Sequence, residues 1–309
     1  MVFLFNNLAI MKNIFLLVCS ILLMAVSCQK QELSPSSEVN ENDLYASIEA
    51  MNSTRTSMDK NNNVIWSEGD ELIAFMKTTL NSRYQIKEQY IGSNSGGFSK
   101  VSYSYDGDEL LLGQELDHNV ILYPYSSAVS CAKNDNVQPT SSYKINVNLP
   151  EVQTYASNSF GNGSFPMVAV SSDNRLTFRN VCGGLKFSFN GVDKIKSIKV
   201  ESLGDEAISG NATVIAYSDN VAPAISMSAS SANAVTLDCG SGVQLKESEP
   251  VAFIVAVPPV QFASGIKITV TDCDGLSMTL FNTSSNQVNR SRLLNFPVIT
   301  YVQDAVMEL

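Results

Sequence analysis

The chain has 309 residues, 44% of them hydrophobic and only 16% charged, with 20 Lys and Arg against 30 Asp and Glu and a net charge of −10. That apolar fraction is too high for a disordered chain, and without clustered Lys and Arg the chain lacks the electrostatic footprint of a nucleic-acid binder. A single histidine, His118, excludes a two-histidine metal site and leaves any histidine-dependent nucleophile only one base to use.

In chain order, the first segment reads as an address. Met11, taken as the functional start, is followed by Lys12, Asn13 and an apolar run from Ile14 to Val26. A short basic region, a hydrophobic stretch and small residues ahead of a cysteine are the parts of a secretory signal, and the run is shorter than the ~20 residues of a spanning helix. Ala25-Val26-Ser27-Cys28 resembles a bacterial lipobox, with Ala25 standing where leucine is usual. Residues 1–27 then form a lipoprotein signal peptide, and Cys28 is lipidated on sulfur and becomes the mature N-terminus. Several acyl chains on one cysteine anchor stably where a single chain does not. An ordinary secretory signal that happens to contain Cys28 is the alternative. Residues 28–43 are polar, Ser-containing and free of aromatics, as suits a flexible tether.

From residue 44 onward, short runs rich in Val, Ile, Phe, Tyr and Thr alternate with Gly, Asn, Asp or Pro clusters, the pattern of strands and turns. Leu44–Ala50 alternates apolar and polar residues as a half-buried strand does. Further strands are expected at Leu72–Met76, Tyr84–Tyr90, Val101–Tyr105, Asn119–Tyr125 and Tyr143–Val147. Beyond residue 173 they are expected at Leu185–Asn190, Ile195–Ser202, Val251–Val257, Gly265–Asp272, Leu276–Asn282 and Phe296–Val302. Asp272-Cys273-Asp274-Gly275 signals a hairpin, and Asp106-Gly107-Asp108 reads the same way. Ser93–Gly97 and Ser159–Ser164 read as loops. No long amphipathic helical pattern is present, so the fold class is all-β, of sandwich type.

A boundary is expected at Ser171–Asn174, giving an N-terminal β-sandwich domain over 44–172 and a C-terminal one over 173–309. Each is long enough for its own core. Cys131, Cys182, Cys239 and Cys273 show no CxxC or other metal-ligand spacing. They read either as buried thiols or as two disulfides of an oxidising compartment, with Cys182–Cys239 the first bridge to test.

Catalytic chemistry is poorly represented. His118 lies in a polar stretch before a strand and reads as an exposed loop residue. Asp272, Asp274 and Asp238 could suggest calcium, but the later ligands of an EF-hand loop are missing and turn chemistry accounts for them. Asp106 and Asp108 take the same reading. Gly240-Ser241-Gly242 lacks the lysine of a phosphate loop. Trp66, the one tryptophan, reads as a core anchor rather than a ligand platform. No catalytic, cofactor-binding or metal-binding residue is therefore assigned.

Thr54-Arg55-Thr56 followed by Ile65-Trp66-Ser67-Glu68-Gly69-Asp70-Glu71-Leu72-Ile73-Ala74-Phe75 resembles the opening of fimbrillin-family lipoproteins. Similar echoes follow in order at Asn180–Phe187, Ile195–Val200, Leu237–Gly240, Ala256–Pro259 and Asn289–Pro297, and it is the ordered set that carries the resemblance. The resemblance implies two tandem β-sandwich domains of transthyretin-like topology. It implies outer-membrane anchoring through the lipid, exposure on the cell surface or in a fimbrium (pilus), and a non-enzymatic role as fimbrial subunit or adhesin. In polymerising members an arginine-specific protease cuts after the first strand, and another subunit's extended segment fills the groove left behind; here the cut would separate Arg55 from Thr56. The implied partners are other fimbrial subunits or further copies of the chain, joined by strand addition, with a host or bacterial surface ligand beyond them. Two other classes stand beside this one. A glycan-binding outer-membrane lipoprotein for nutrient uptake would be supported by exposed aromatic pairs on a sheet face, and a secreted hydrolase would work through His118 or through aspartates alone.

Overall fold

A computed structural model of the chain describes residues 43–50, 64–75, 81–101, 116–134 and 141–309, and these are all-β apart from one 3-10 turn at Glu88–Tyr90. In chain order the strands are β1 (Leu44–Ile48), β2 (Glu71–Phe75), β3 (Ser82–Ile86), β4 (Ser95–Lys100), β5 (Asn119–Tyr123) and β6 (Ser130–Lys133). Next come β7 (Ser142–Leu149), β8 (Val152–Thr154), β9 (Met167–Ser171), β10 (Arg175–Asn180), β11 (Gly183–Asn190) and β12 (Lys194–Ser202). Then follow β13 (Gly210–Tyr217), β14 (Ala224–Met227), β15 (Ala234–Gln244), β16 (Val251–Val257) and β17 (Val260–Phe262). The last are β18 (Ile266–Asp272), β19 (Ser277–Asn282), β20 (Asn286–Val288), β21 (Leu293–Thr300) and β22 (Val306–Glu308).

Where alternation is strict, sequence and burial agree. The β18 sequence IKITVTD alternates buried and half-buried residues throughout, so one face enters the core and the other stays wet. Its hairpin partner β19 pairs antiparallel through Thr271↔Ser277, and Asp272–Gly275 makes the turn, with Gly275 at φ +85°. By contrast β16 is buried at every position after Val251. The reason is that its two faces lie in different cores: Ile254 and Ala256 join one hydrophobic cluster, while Phe253, Val255 and Val257 join the other.

Seven strands close into a barrel in the order β1-β10-β9-β5-β2-β3-β4. The first half is all-β as expected, and its sheet closes on itself. β1 causes this closure, by pairing in parallel with β10 and antiparallel with β4. The second cluster is walled by the sheet β22-β19-β18-β12-β15-β8 and by the three strands β16-β11-β21. β11 repeats the wiring of β1, with a parallel neighbour, β21, on one side and an antiparallel one, β16, on the other. In β21, Phe296 and Pro297 together oppose Phe187, a bulge that accommodates a proline with no N–H to offer on an edge strand.

Strands cross between the two halves of the sequence. β13 pairs along its whole length with β7, and Ala212, Val214 and Ala216 enter the first cluster. Conversely β8 lies parallel to β15 in the second sheet. The buried Gln153 of β8 acts as an extra length of strand: its Nε2 donates to the Ala256 carbonyl at 2.7 Å, and its Oε1 accepts from the Ala256 N–H at 2.9 Å. Residues 171–174 form the turn between β9 and β10, and core membership changes after Cys182.

Several local expectations need correction. Ser93–Gly97 is not wholly a loop, because Ser95, Gly96 and Gly97 open β4. These glycines make close approaches: a Cβ on Gly96 would lie 2.6 Å from Trp66 Nε1, and one on Gly97 2.3 Å from the Tyr90 ring. The strand expected at Tyr84–Tyr90 ends at Ile86, where the chain turns so that Tyr90 can cover Gly97. The strand expected at Val101–Tyr105 and the turn at Asp106–Asp108 lie outside the described residues, Val101 excepted. Cys182 and Cys239 do not form a bridge. They are buried in separate clusters, and all four described cysteines are free thiols, Cys273 being exposed.

Candidate functional site

Geometry singles out β1 and the groove that holds it. Leu44, Ala46 and Ile48 point inward and are 1%, 7% and 6% exposed. Burying the two large side chains stabilises the strand by about 3–6 kcal/mol. Along one edge β1 runs in register with β10, from Tyr45↔Arg175 to Ile48↔Phe178; along the other it faces β4, from Leu44↔Phe98 to Ser47↔Ser95. The Tyr45 N–H donates to the Asn174 carbonyl at 2.9 Å, and the Glu49 N–H to the Phe178 carbonyl at 2.9 Å. The strand therefore satisfies backbone groups along one edge of each of its two neighbours.

The groove is shaped by aromatic rings. Trp66, fully buried, meets Phe98 of β4 edge-on at 4.9 Å and Phe178 of β10 at 5.5 Å, and these are the two strands that flank β1. Tyr123 completes the set at 5.5 Å. Ala46 is in register with Gly96, so two small residues sit side by side where the indole needs room. Beneath them, the buried Asp70 accepts from the Ser67 N–H at 2.7 Å and from the Tyr123 hydroxyl at 2.9 Å. Burial nevertheless raises its pKa above the ordinary carboxylate value.

Charges fix both ends. Before β1, the buried Asp43 pairs with Lys87, and its carbonyl accepts from Asn174 Nδ2 at 3.1 Å. After β1, the Glu49 carboxylate lies between two arginines: Arg179 Nη1 of β10 reaches Oε2 at 3.2 Å, and Arg290, just ahead of β21, pairs with Oε1. The Asn180 N–H donates to the same carboxylate at 2.6 Å. Asn180 Nδ2 also donates to Ser291 Oγ at 2.7 Å, which ties the end of the groove to the segment that leads into β21. The sequence gives no local signal of this cluster, because Glu49 and Arg290 are 241 positions apart.

The sequence-predicted site residues Cys28, Arg55 and Thr56 lie outside the described residues. Ala50 is the last described residue before Arg55, and it immediately follows the Glu49 cluster. His118 is not the exposed loop residue expected: it is half-buried, and its Nδ1 lies 2.8 Å from the hydroxyl of buried Tyr143. Burial pushes the Tyr143 phenol up to about 12. Asp272 is a turn residue, accepting from the Asp274 and Leu276 N–H groups, each at 2.9 Å, and from Tyr301 and Gln303. Asp238 caps the Gly240 N–H at 3.0 Å. Among the described residues no cluster of His, Cys, Asp and Glu could hold a metal ion. Among them, too, no Phe, Tyr or Trp is among the exposed large hydrophobic residues.

No family model matches the chain, and no curated protein matches it. Solved structures do resemble it at a distance. A candidate cell adhesion protein from Bacteroides ovatus is 9% identical, with 85% of this chain and 92% of that chain covered and a TM-score of 0.46. A candidate cell adhesion protein from Bacteroides uniformis is 11% identical, with 84% and 93% covered and a TM-score of 0.42. The tip fimbrial protein Mfa3 from Porphyromonas gingivalis is 10% identical, with 85% and 96% covered and a TM-score of 0.27.

Proposed function

We propose that the chain is a non-enzymatic, fimbrillin-like surface lipoprotein, a fimbrial subunit or adhesin that assembles by exchanging its first strand. In this reading Cys28 carries the lipid that holds the protein to the outer membrane, and residues 28–43 are the tether. Two tandem domains of transthyretin-like topology follow, with strands contributed crosswise. The repeated wiring of β1 and β11, each between one parallel and one antiparallel neighbour, supports the tandem arrangement.

The observation that carries the proposal is the position of β1. It closes a barrel between β10 and β4, it buries three side chains, and it follows a tether and precedes the segment containing Arg55. Cutting between Arg55 and Thr56 leaves β1 held by non-covalent contacts alone. Its departure would bare apolar surface and two strand edges, which an extended segment of another subunit would satisfy. β11 likewise has one parallel and one antiparallel neighbour, but it is joined directly to β10, so no single cut would free it in the same way.

Mass spectrometry of the N-terminus, comparing membrane-bound protein with protein sheared from the cell surface, tests the proposal. A sheared species beginning at Thr56 is expected. Lipidated Cys28 species alone, in cells that contain the processing protease, would refute strand exchange and leave an anchored adhesin.

A further inference from the structure

Three cations stand at the two ends of the β1 groove, and among the described residues the carboxylates that pair with them all come from the flanks of β1. Lys87 pairs with Asp43 at one end; Arg179 and Arg290 share Glu49 at the other. Both carboxylate side chains are largely buried, 5% and 15% exposed, and the two arginines are only 20% and 23% exposed. Arg290 also donates to the Asn180 carbonyl at 2.8 Å, and Arg179 to the Asn220 side chain, so each keeps one contact on the segments that stay behind. A cation covered there again by a strand that lacks the anion bears a desolvation cost without the compensating attraction. All three belong to segments that stay behind when β1 departs.

We infer that the groove selects its incoming strand by charge as well as by shape. Resting on the strand-exchange reading above, the inference names the partner's chemistry. It is a strand of another subunit with carboxylates in the places of Asp43 and Glu49, bracketing inward side chains in the places of Leu44, Ala46 and Ile48. The middle place takes a small residue, because it is in register with Gly96, where the Trp66 indole leaves no room for a Cβ. A strand that is neutral or basic at either flank fills the same apolar groove but leaves cations unpaired, which rejects it.

The test uses the mature chain with Cys28→Ala, cut by an arginine-specific protease, and fluorescent peptides of residues 41–50 whose binding is read by anisotropy. The native peptide binds, and a peptide with Asp43→Asn and Glu49→Gln binds roughly 10- to 100-fold more weakly. A peptide with Ala46→Lys, which keeps both carboxylates, does not bind. A chain with Arg290→Gln loses much of the discrimination between the native and Glu49→Gln peptides. Equal binding of native and amide peptides by the unaltered chain overturns the charge selection while strand exchange stands. If the chain is not cut after Arg55, or if the cut chain takes up no peptide, strand exchange fails and the inference fails with it.

Discussion

Replacing Gln153 with Leu should destabilise the protein far more than a surface-strand substitution. β8 is only three residues long and its Val152 is 62% exposed, yet Gln153 is 3% exposed and bonds both backbone groups of Ala256. Leucine has a similar volume but cannot donate or accept, so two buried backbone groups of β16 lose their partners. Each such loss costs about 1–3 kcal/mol, which gives about 2–6 kcal/mol for the pair. That is a large part of a typical stability of about 5–15 kcal/mol. Gln153→Glu should be no milder, because the carboxylate can accept from the Ala256 N–H but cannot donate to its carbonyl, and it carries a charge into the interior. Urea unfolding gives the loss as a fall in midpoint at unchanged slope, and hydrogen exchange at the Ala256 amide should quicken in step. A Gln153→Leu variant that loses less than about 1 kcal/mol would refute the argument, since a single ordinary hydrogen bond accounts for that much.

Two further outcomes are expected. Burial alone would raise the pKa of Asp272, but hydrogen bonds from Leu276, Gln303, Tyr301 and Asp274 outweigh it and hold the carboxyl below its usual range. Its contribution is therefore present above the unfolded-state pKa and is lost as pH falls through the folded one. Asp272→Asn should flatten the loss of stability below about pH 4, and an unchanged acid limb in pH-dependent unfolding would count against this. Among the described thiols, a water-soluble reagent should label exposed Cys273 promptly and Cys182 only on unfolding. Burial pushes the Cys182 thiol well above its ordinary pKa, and mass mapping that found both labelled at one rate would contradict the core placement of Cys182.

Local periodicity made Leu44–Ile48 and Ile195–Ser202 legible in the sequence, because a two-residue alternation reports directly on a face that is buried, while Val251–Val257 was legible as a short unbroken apolar run and Asp272–Gly275 as a turn. It could not report which core a face would join. Gly210–Tyr217 lies well beyond the boundary expected at residue 172, yet it packs with the first cluster through β7, a choice made by tertiary pairing alone. β4 was obscured by its own glycines, which ordinarily mark turns and here make room for Trp66 and Tyr90. β8 was too short, and its one buried side chain is polar. Of the candidate site, the strand itself was readable but its clamps were not: Arg290 stood within a recognised motif, and nothing local pointed from it to Glu49.

The crosswise pairing of β7 with β13 has a consequence for the order in which the protein can take shape. A growing or translocating chain presents its first half before residues 210–217 exist in the folding compartment. Until they arrive, one edge of β7 is unpaired and the places of Ala212, Val214 and Ala216 in the first core are empty. The first half is thus an incomplete body for the time it takes to deliver the rest, with a bare strand edge of the kind that captures neighbouring chains. Completion of the early core waits on late sequence, so the interval between them is a time when a chaperone would be most needed.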